Sequence, residues 1–102
     1  MLKTLEDLIN IIRDRKNSFS DKSYTKKLLE DKSLSTEKVK EEIAELIEAV
    51  ENDSNKIHEA ADVLYHLVVY LEANGVKIED VMEELNKRKK WIMIIIIFLQ
   101  RY

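Results

Sequence analysis

Apolar residues recur along most of this chain at three- and four-residue spacing, the repeat of an α-helix with one face turned inward. Leu2, Leu5, Leu8, Ile9 and Ile12 form the first stripe and predict a helix from about Leu2 to Lys16. The polar run from Asn17 to Lys22 interrupts it. A short helix is expected over Ser23–Asp31, with Ser23 at its N-cap, where a serine oxygen accepts from the free amides of a first turn. Ser33, Ser35 and Thr36 mark the next start, and the stripe Val39, Ile43, Leu46, Ile47 and Val50 carries a helix to about Glu51. Asn52–Asn55 reads as a turn. A longer helix follows from Lys56 to Asn74, stopped by Asn74-Gly75, because glycine takes the left-handed conformation that ends helices. The last helix starts near Ile78 and carries Val81, Met82 and Leu85.

Composition narrows the fold class. At 102 residues the chain makes one domain. It holds one glycine and no proline, too few turn formers for a sheet protein of this size, so an all-α bundle of about five helices is predicted. Seventeen Lys and Arg against 20 Asp and Glu leave a net charge of −3, which argues against nucleic acid as a partner, since that affinity rests on phosphate neutralisation. With no cysteine there is no disulfide, thiolate ligand or thiol nucleophile. Charges within the apolar pattern of Met1–Asn10 do not make a signal peptide, so a cytoplasmic location is expected.

Trp91–Leu99 breaks the pattern, with nine consecutive apolar residues between Lys87-Arg88-Lys89-Lys90 and Gln100-Arg101-Tyr102. A membrane-spanning helix needs about 20 such residues, so this is not a span. The segment is expected to be buried or to contact a second copy of the chain. The four β-branched residues Ile94–Ile97 also permit a strand, and basic residues before apolar ones permit a peripheral membrane contact. The organisation is therefore a helical domain over 1–90 with an apolar extension over 91–102.

The candidate chemistry lies in acids on two successive helices. At about 100° per residue, Glu42 and Glu45 fall on the margin of the stripe begun by Val39, whereas Glu41 and Glu48 point further towards solvent. On the following helix, Ile57, Ala60, Ala61, Leu64, Leu67, Val68 and Leu71 make the main stripe, and Glu59, Asp62 and His66 lie opposite it. Val63, Val69 and Tyr70 flank that opposite side, so from Val63 to Leu71 the helix is apolar nearly all round and should be covered on more than one face. Acids placed there need a positive partner. A hard divalent cation would serve, since Mg²⁺ takes carboxylate oxygens and leaves positions for water and phosphate. The alternative is ordinary solvated or salt-bridged acids, common at 36% charge.

The order Glu41-Glu42-x-x-Glu45, then Glu59-x-x-Asp62, resembles the all-α nucleoside triphosphate pyrophosphohydrolases of the MazG-like superfamily. Within it, Ser23-Tyr24-Thr25, the acidic helix Lys38–Glu45 and the helix Glu59–Leu67 are similar to the phosphoribosyl-ATP pyrophosphohydrolase family, from about Leu2 to Arg88. The family usually has glycine where this chain has Lys40, and another near Ser33. The resemblance implies hydrolysis of phosphoribosyl-ATP to phosphoribosyl-AMP and pyrophosphate, a step of histidine biosynthesis, with Mg²⁺. It implies a homodimer whose two chains complete each site. Glu42, Glu45, Glu59 and Asp62 would hold the metal, and Glu41 with Glu42 would act on the attacking water. Ser23, Tyr24 and Thr25 would line the substrate site, His66 would support the acids, and Arg13, Arg15, Lys16 and Lys38 would meet phosphates. Two other readings are a MazG-like enzyme that clears other nucleotides and a non-catalytic helical module docking through Trp91–Leu99.

Overall fold

The computed structural model describes residues 2–17 and 23–100, apart from the side chains at 92, 98 and 100. Most of the polar break (18–22) and the last two residues of the extension lie outside the described residues. Five helices follow in order: α1 (Lys3–Lys16), α2 (Tyr24–Glu30), α3 (Lys32–Glu51), α4 (Lys56–Ala73) and α5 (Ile78–Gln100). Among the described residues there is no strand.

Local chemistry accounts for the helix ends. Ser23 caps α2, its Oγ accepting from the Lys26 amide at 3.3 Å. The cap of α3 is Asp31, which accepts from the Leu34 amide at 3.0 Å, so the helix begins before the expected Ser33–Thr36 start. A carboxylate satisfies a first-turn amide and the helix dipole together. Ser35 thereby falls inside α3 and is buried. Residues 52–55 turn the chain with Asp53 and Asn55 both at φ +52°, a left-handed conformation that Asp and Asn tolerate better than most residues. After α4, Gly75 at φ +71° closes a paired cap, with Val76 N–H donating to Leu71 O and Gly75 N–H to Glu72 O.

The main core joins α1, α2 and α4 through Ile9, Ile12, Leu28, Leu29, Val68 and Val69, with Leu5, Leu8, Leu34, Tyr65, Ala73 and Ile78 packed around it. Full burial of a side chain such as Ile12 or Leu28 contributes about 1.5–3 kcal/mol. Arg13 fastens the start of α5 to this core. Its Nε donates to Glu72 at 2.9 Å and its Nη1 to Glu79 at 2.7 Å, so one guanidinium ties α1 to α4 and α5.

Two expectations need correcting. The stripes read on α3 and α4 are largely on the outside: Ile43, Ile47, Val50, Ile57 and Leu64 are all exposed, Ile57 at 88%. The sides that pack inward carry Ser35, Val39, Glu42 and Ala49 on α3, and Asp62, His66 and Val69 on α4. Periodicity finds an apolar face, but it does not say whether the same chain or another covers it. The extension, for its part, is helical and not a strand, and it is not buried within the chain: Trp91 is 69% exposed and Leu99 66%. At about 1.5 Å per residue the 23-residue α5 outruns the bundle. The radius of gyration is accordingly 16.5 Å, against about 13 Å for a compact chain of this length.

The Arg13 clamp has a pH signature. The guanidinium holds the Glu79 carboxyl down to about 2, so this contribution is present above the ordinary carboxylate range and fades as pH falls towards about 2. Glu79→Gln is expected to lower the melting temperature at pH 7 and to change it little at pH 2. Equal losses at both pH values, measured by circular-dichroism melts, would contradict the clamp.

Candidate active site

Glu42, half-buried on the inward side of α3, comes face to face with the half-buried Glu59 of α4. Glu45, expected beside the buried stripe, joins them from the exposed edge of α3, because tertiary packing turns that edge to solvent. One donor oxygen each from Glu42, Glu45 and Glu59 lie within 4.8 Å of one another. A second group shares Glu59: the donor atoms of His58, Glu59 and Asp62 also lie within 4.8 Å. Glu59 is therefore the vertex between two clusters. Glu42 Oε2 and Glu59 Oε2 are both buried and without a hydrogen-bond partner. Among the described residues no Lys or Arg ion pair reaches Glu42, Glu45 or Glu59.

The electrostatics follow from this crowding. Burial, and next the charge of Glu45, push the Glu42 carboxyl above its ordinary range, with Asp62 adding to the effect and His66 opposing it. Unpaired buried carboxylate oxygens are costly, and a cation is the group that satisfies several at once. The Glu42, Glu45 and Glu59 group is an all-oxygen donor set, and with two buried oxygens unpartnered it fits a hard divalent ion.

From the first turn of α2, Tyr24 and Thr25 reach across to α4, whereas Ser23 is occupied as the helix cap. Tyr24 Oη lies 2.9 Å from His66 Nε2, and His66 Nδ1 lies 2.8 Å from the Asp62 carbonyl oxygen. A carbonyl only accepts, so the ring carries its proton on Nδ1 and Tyr24 donates to Nε2. His66 is 7% exposed and edge-on to Tyr65, with ring centres 4.9 Å apart. Thr25 Oγ1 hydrogen-bonds Tyr65 Oη. Burial pushes the Tyr24 hydroxyl up, and the Lys38 charge opposes that shift.

Other residues selected from the sequence are distributed differently. Glu41 is exposed and pairs with Lys38 at 3.3 Å, a bond that raises the Lys38 ammonium. Arg13 has its donors engaged by Glu72 and Glu79, so the structure gives it a scaffolding role where a phosphate contact was expected. Arg15 and Lys16 are exposed at the end of α1, where the structure does not bring them to the carboxylates. His58 went unselected, although its spacing four residues before Asp62 puts the two on one helix face. A cleft of about 180 Å³, lined by Glu45, Glu48, Ala49, Asn52, Ser54, Asn55 and Glu59, opens beside the acids at the α3–α4 turn. A larger apolar cleft of about 600 Å³, between α1 and α5, lies apart from them, with Leu5, Ile9 and Ile78 in its wall.

Fold and site define an all-α protein in which two helices share one carboxylate centre, flanked by tyrosine, threonine and histidine. The chain belongs to the phosphoribosyl-ATP pyrophosphohydrolase family, whose model matches residues 5–89. It is 44% identical over 94 residues to a phosphoribosyl-ATP pyrophosphatase of Clostridium novyi, covering 87% of this chain and 84% of that one. To the enzyme of that name from Sulfurisphaera tokodaii it is 45% identical over 89 residues, covering 84% and 95%. It also matches 34% of the chloroplastic histidine biosynthesis bifunctional protein hisIE of Arabidopsis thaliana, at 42% identity over 85% of this chain. No solved structure matches the chain.

Because the charged form of Glu42 is disfavoured in the fold, its penalty is absent at low pH and grows as pH rises through the elevated value. Glu42→Gln is therefore expected to raise the melting temperature of the metal-free protein at pH 7 and to leave it unchanged near pH 4. A fall at pH 7, read by differential scanning fluorimetry in EDTA, would contradict the crowded-acid arrangement.

Proposed function

We propose that this chain hydrolyses phosphoribosyl-ATP to phosphoribosyl-AMP and pyrophosphate, the substrate for which its relatives are named. The observation that carries the reading is the pair of buried, unpartnered oxygens of Glu42 and Glu59 within one carboxylate centre. Glu42, Glu45, Glu59 and Asp62 are the residues that would hold Mg²⁺, which when bound neutralises triphosphate charge and polarises water. Water adds to the α-phosphorus, the α–β phosphoanhydride bond breaks and pyrophosphate leaves, so no covalent nucleophile is needed. Glu41 orients the attacking water from the exposed rim of α3, and the inward Glu42 faces the same centre. Lys38 sits beside Glu41 and meets phosphate oxygens. Ser23, Tyr24 and Thr25 line the substrate site. His66, locked between Tyr24 and the Asp62 carbonyl, holds Tyr24 and the α4 backbone in register.

The protein works as a homodimer. Ile43, Ile47 and Val50 on α3 and Ile57, Leu64 and Leu67 on α4 expose apolar surface that a second copy covers, bringing its own residues towards the site. A cytoplasmic location suits this reaction, and among the described residues no helix is long and apolar enough to cross a membrane.

Pyrophosphate release from phosphoribosyl-ATP is expected with Mg²⁺ and should stop with EDTA. Faster release from ATP than from phosphoribosyl-ATP would instead favour a general nucleotide-clearing enzyme. Glu45→Gln and Asp62→Asn should each lower turnover by more than about 100-fold, beyond the usual loss for a residue that only supports a metal ligand, while helicity stays intact. Retained turnover would remove these residues from the metal centre. For the dimer, Leu64→Glu is expected to give a folded monomer by sedimentation equilibrium, where an unchanged mass would displace the interface from this face.

A further inference from the structure

We propose that His58 is a nitrogen ligand of the cation centre and makes it favour first-row transition dications over Mg²⁺. This rests on the carboxylate centre of the proposed function and adds a donor from outside its acidic motif. On α4, with His58 at 0°, Asp62 falls at about 40° and Glu59 at about 100°, so the three share one side of the helix. His58 Nε2 stands 3.4 Å from Asp62 Oδ2, and donor atoms of all three residues lie within 4.8 Å. An ordinary ion pair between His58 and Asp62 accounts for that distance alone, whereas Glu59, whose Oε2 is buried and unpartnered, offers a donor oxygen to the same group. A cation held by His58, Glu59 and Asp62 accounts for both.

The two histidines are not equivalent in this respect. His66 has its Nδ1 committed to the Asp62 carbonyl and its Nε2 to Tyr24. The His58 side chain is 72% exposed and free to settle on an ion without disturbing the core. One imidazole with carboxylates is a mixed donor set: Mg²⁺ takes oxygen and dehydrates reluctantly, whereas transition dications bind imidazole more strongly.

The test uses Mn²⁺ alone on the full-length, nucleotide-free protein, with binding followed by the loss of the free-ion electron paramagnetic resonance signal and Mg²⁺ as competitor. Pulsed measurements should show a ¹⁴N coupling from one imidazole. Removing a residue that merely supports a metal ligand costs about 10–100-fold in affinity, so His58→Gln should weaken Mn²⁺ by at least about tenfold and abolish the coupling. The same variant should alter Mg²⁺ binding by less than about threefold, since oxygen donors dominate there. Mn²⁺ binding without nitrogen coupling, or with a coupling that survives His58→Gln, overturns the role of His58 and leaves the carboxylate centre standing. Mn²⁺ binding that Glu59→Gln leaves untouched, or no Mn²⁺ binding at all, overturns both.

Discussion

The structure turns on how α3 and α4 meet. Two amphipathic helices joined by a short turn would ordinarily bury their apolar stripes against each other. Here they set Glu42 and Glu45 against Glu59 and Asp62 and leave Ile43, Ile47, Ile57 and Leu64 outside. Like charges brought together away from water oppose folding, and exposed apolar surface forgoes the main force that favours it. Both deficits point outward from the single chain. In the proposed function a divalent cation would relieve the first, and a second copy of the chain the second. The geometry that makes the isolated fold poor is the one that supplies a site.

Other elements hold that arrangement in place. Ser35, Val39 and Ala49 are the buried residues of α3, while the core of α1, α2 and α4 anchors α4 through Val68 and Val69. The tautomer of His66 is set by the Asp62 carbonyl, and that leaves Nε2 to receive the Tyr24 hydroxyl. The Ser23-Tyr24-Thr25 element is thus tied to α4 twice, by Tyr24 on His66 and by Thr25 on Tyr65. Arg13 does comparable work at the opposite end. Its guanidinium spans α1, α4 and α5, where a long projecting helix would otherwise be attached mainly through Ile78.

Beyond residue 89, where the family match ends, α5 continues as an exposed apolar helix carrying Trp91, Met93 and Leu99. Nine apolar residues in succession have no polar side, so the segment lacks the stripe that would fix one packing direction. Its helical form follows from uninterrupted elongation out of Ile78–Lys90, with neither proline nor glycine to stop it. Four consecutive isoleucines prefer strands only where a neighbouring strand pairs with them, and an all-helical chain provides none.

The sequence by itself determined the helices, most of their ends and the grouping of the acids. These depend on local chemistry: a serine oxygen at the start of α2, Asn74-Gly75 after α4, and i, i+3 spacing that aligns Glu42 with Glu45 and Glu59 with Asp62. Tertiary structure alone decided which side of each helix faced inward. Both sides of α4 carry apolar residues, and the choice went to the side with His66 and Val69 because those residues meet Tyr24 and the core of α1 and α2. It likewise decided that Arg13 is a clamp, since Glu72 and Glu79 lie 59 and 66 residues away along the chain. His58 was present as a four-residue spacing, but only the approach of Asp62 and the unpartnered Glu59 oxygen give that spacing chemical meaning. Periodicity is a property of one helix, whereas burial and charge pairing belong to what packs against it.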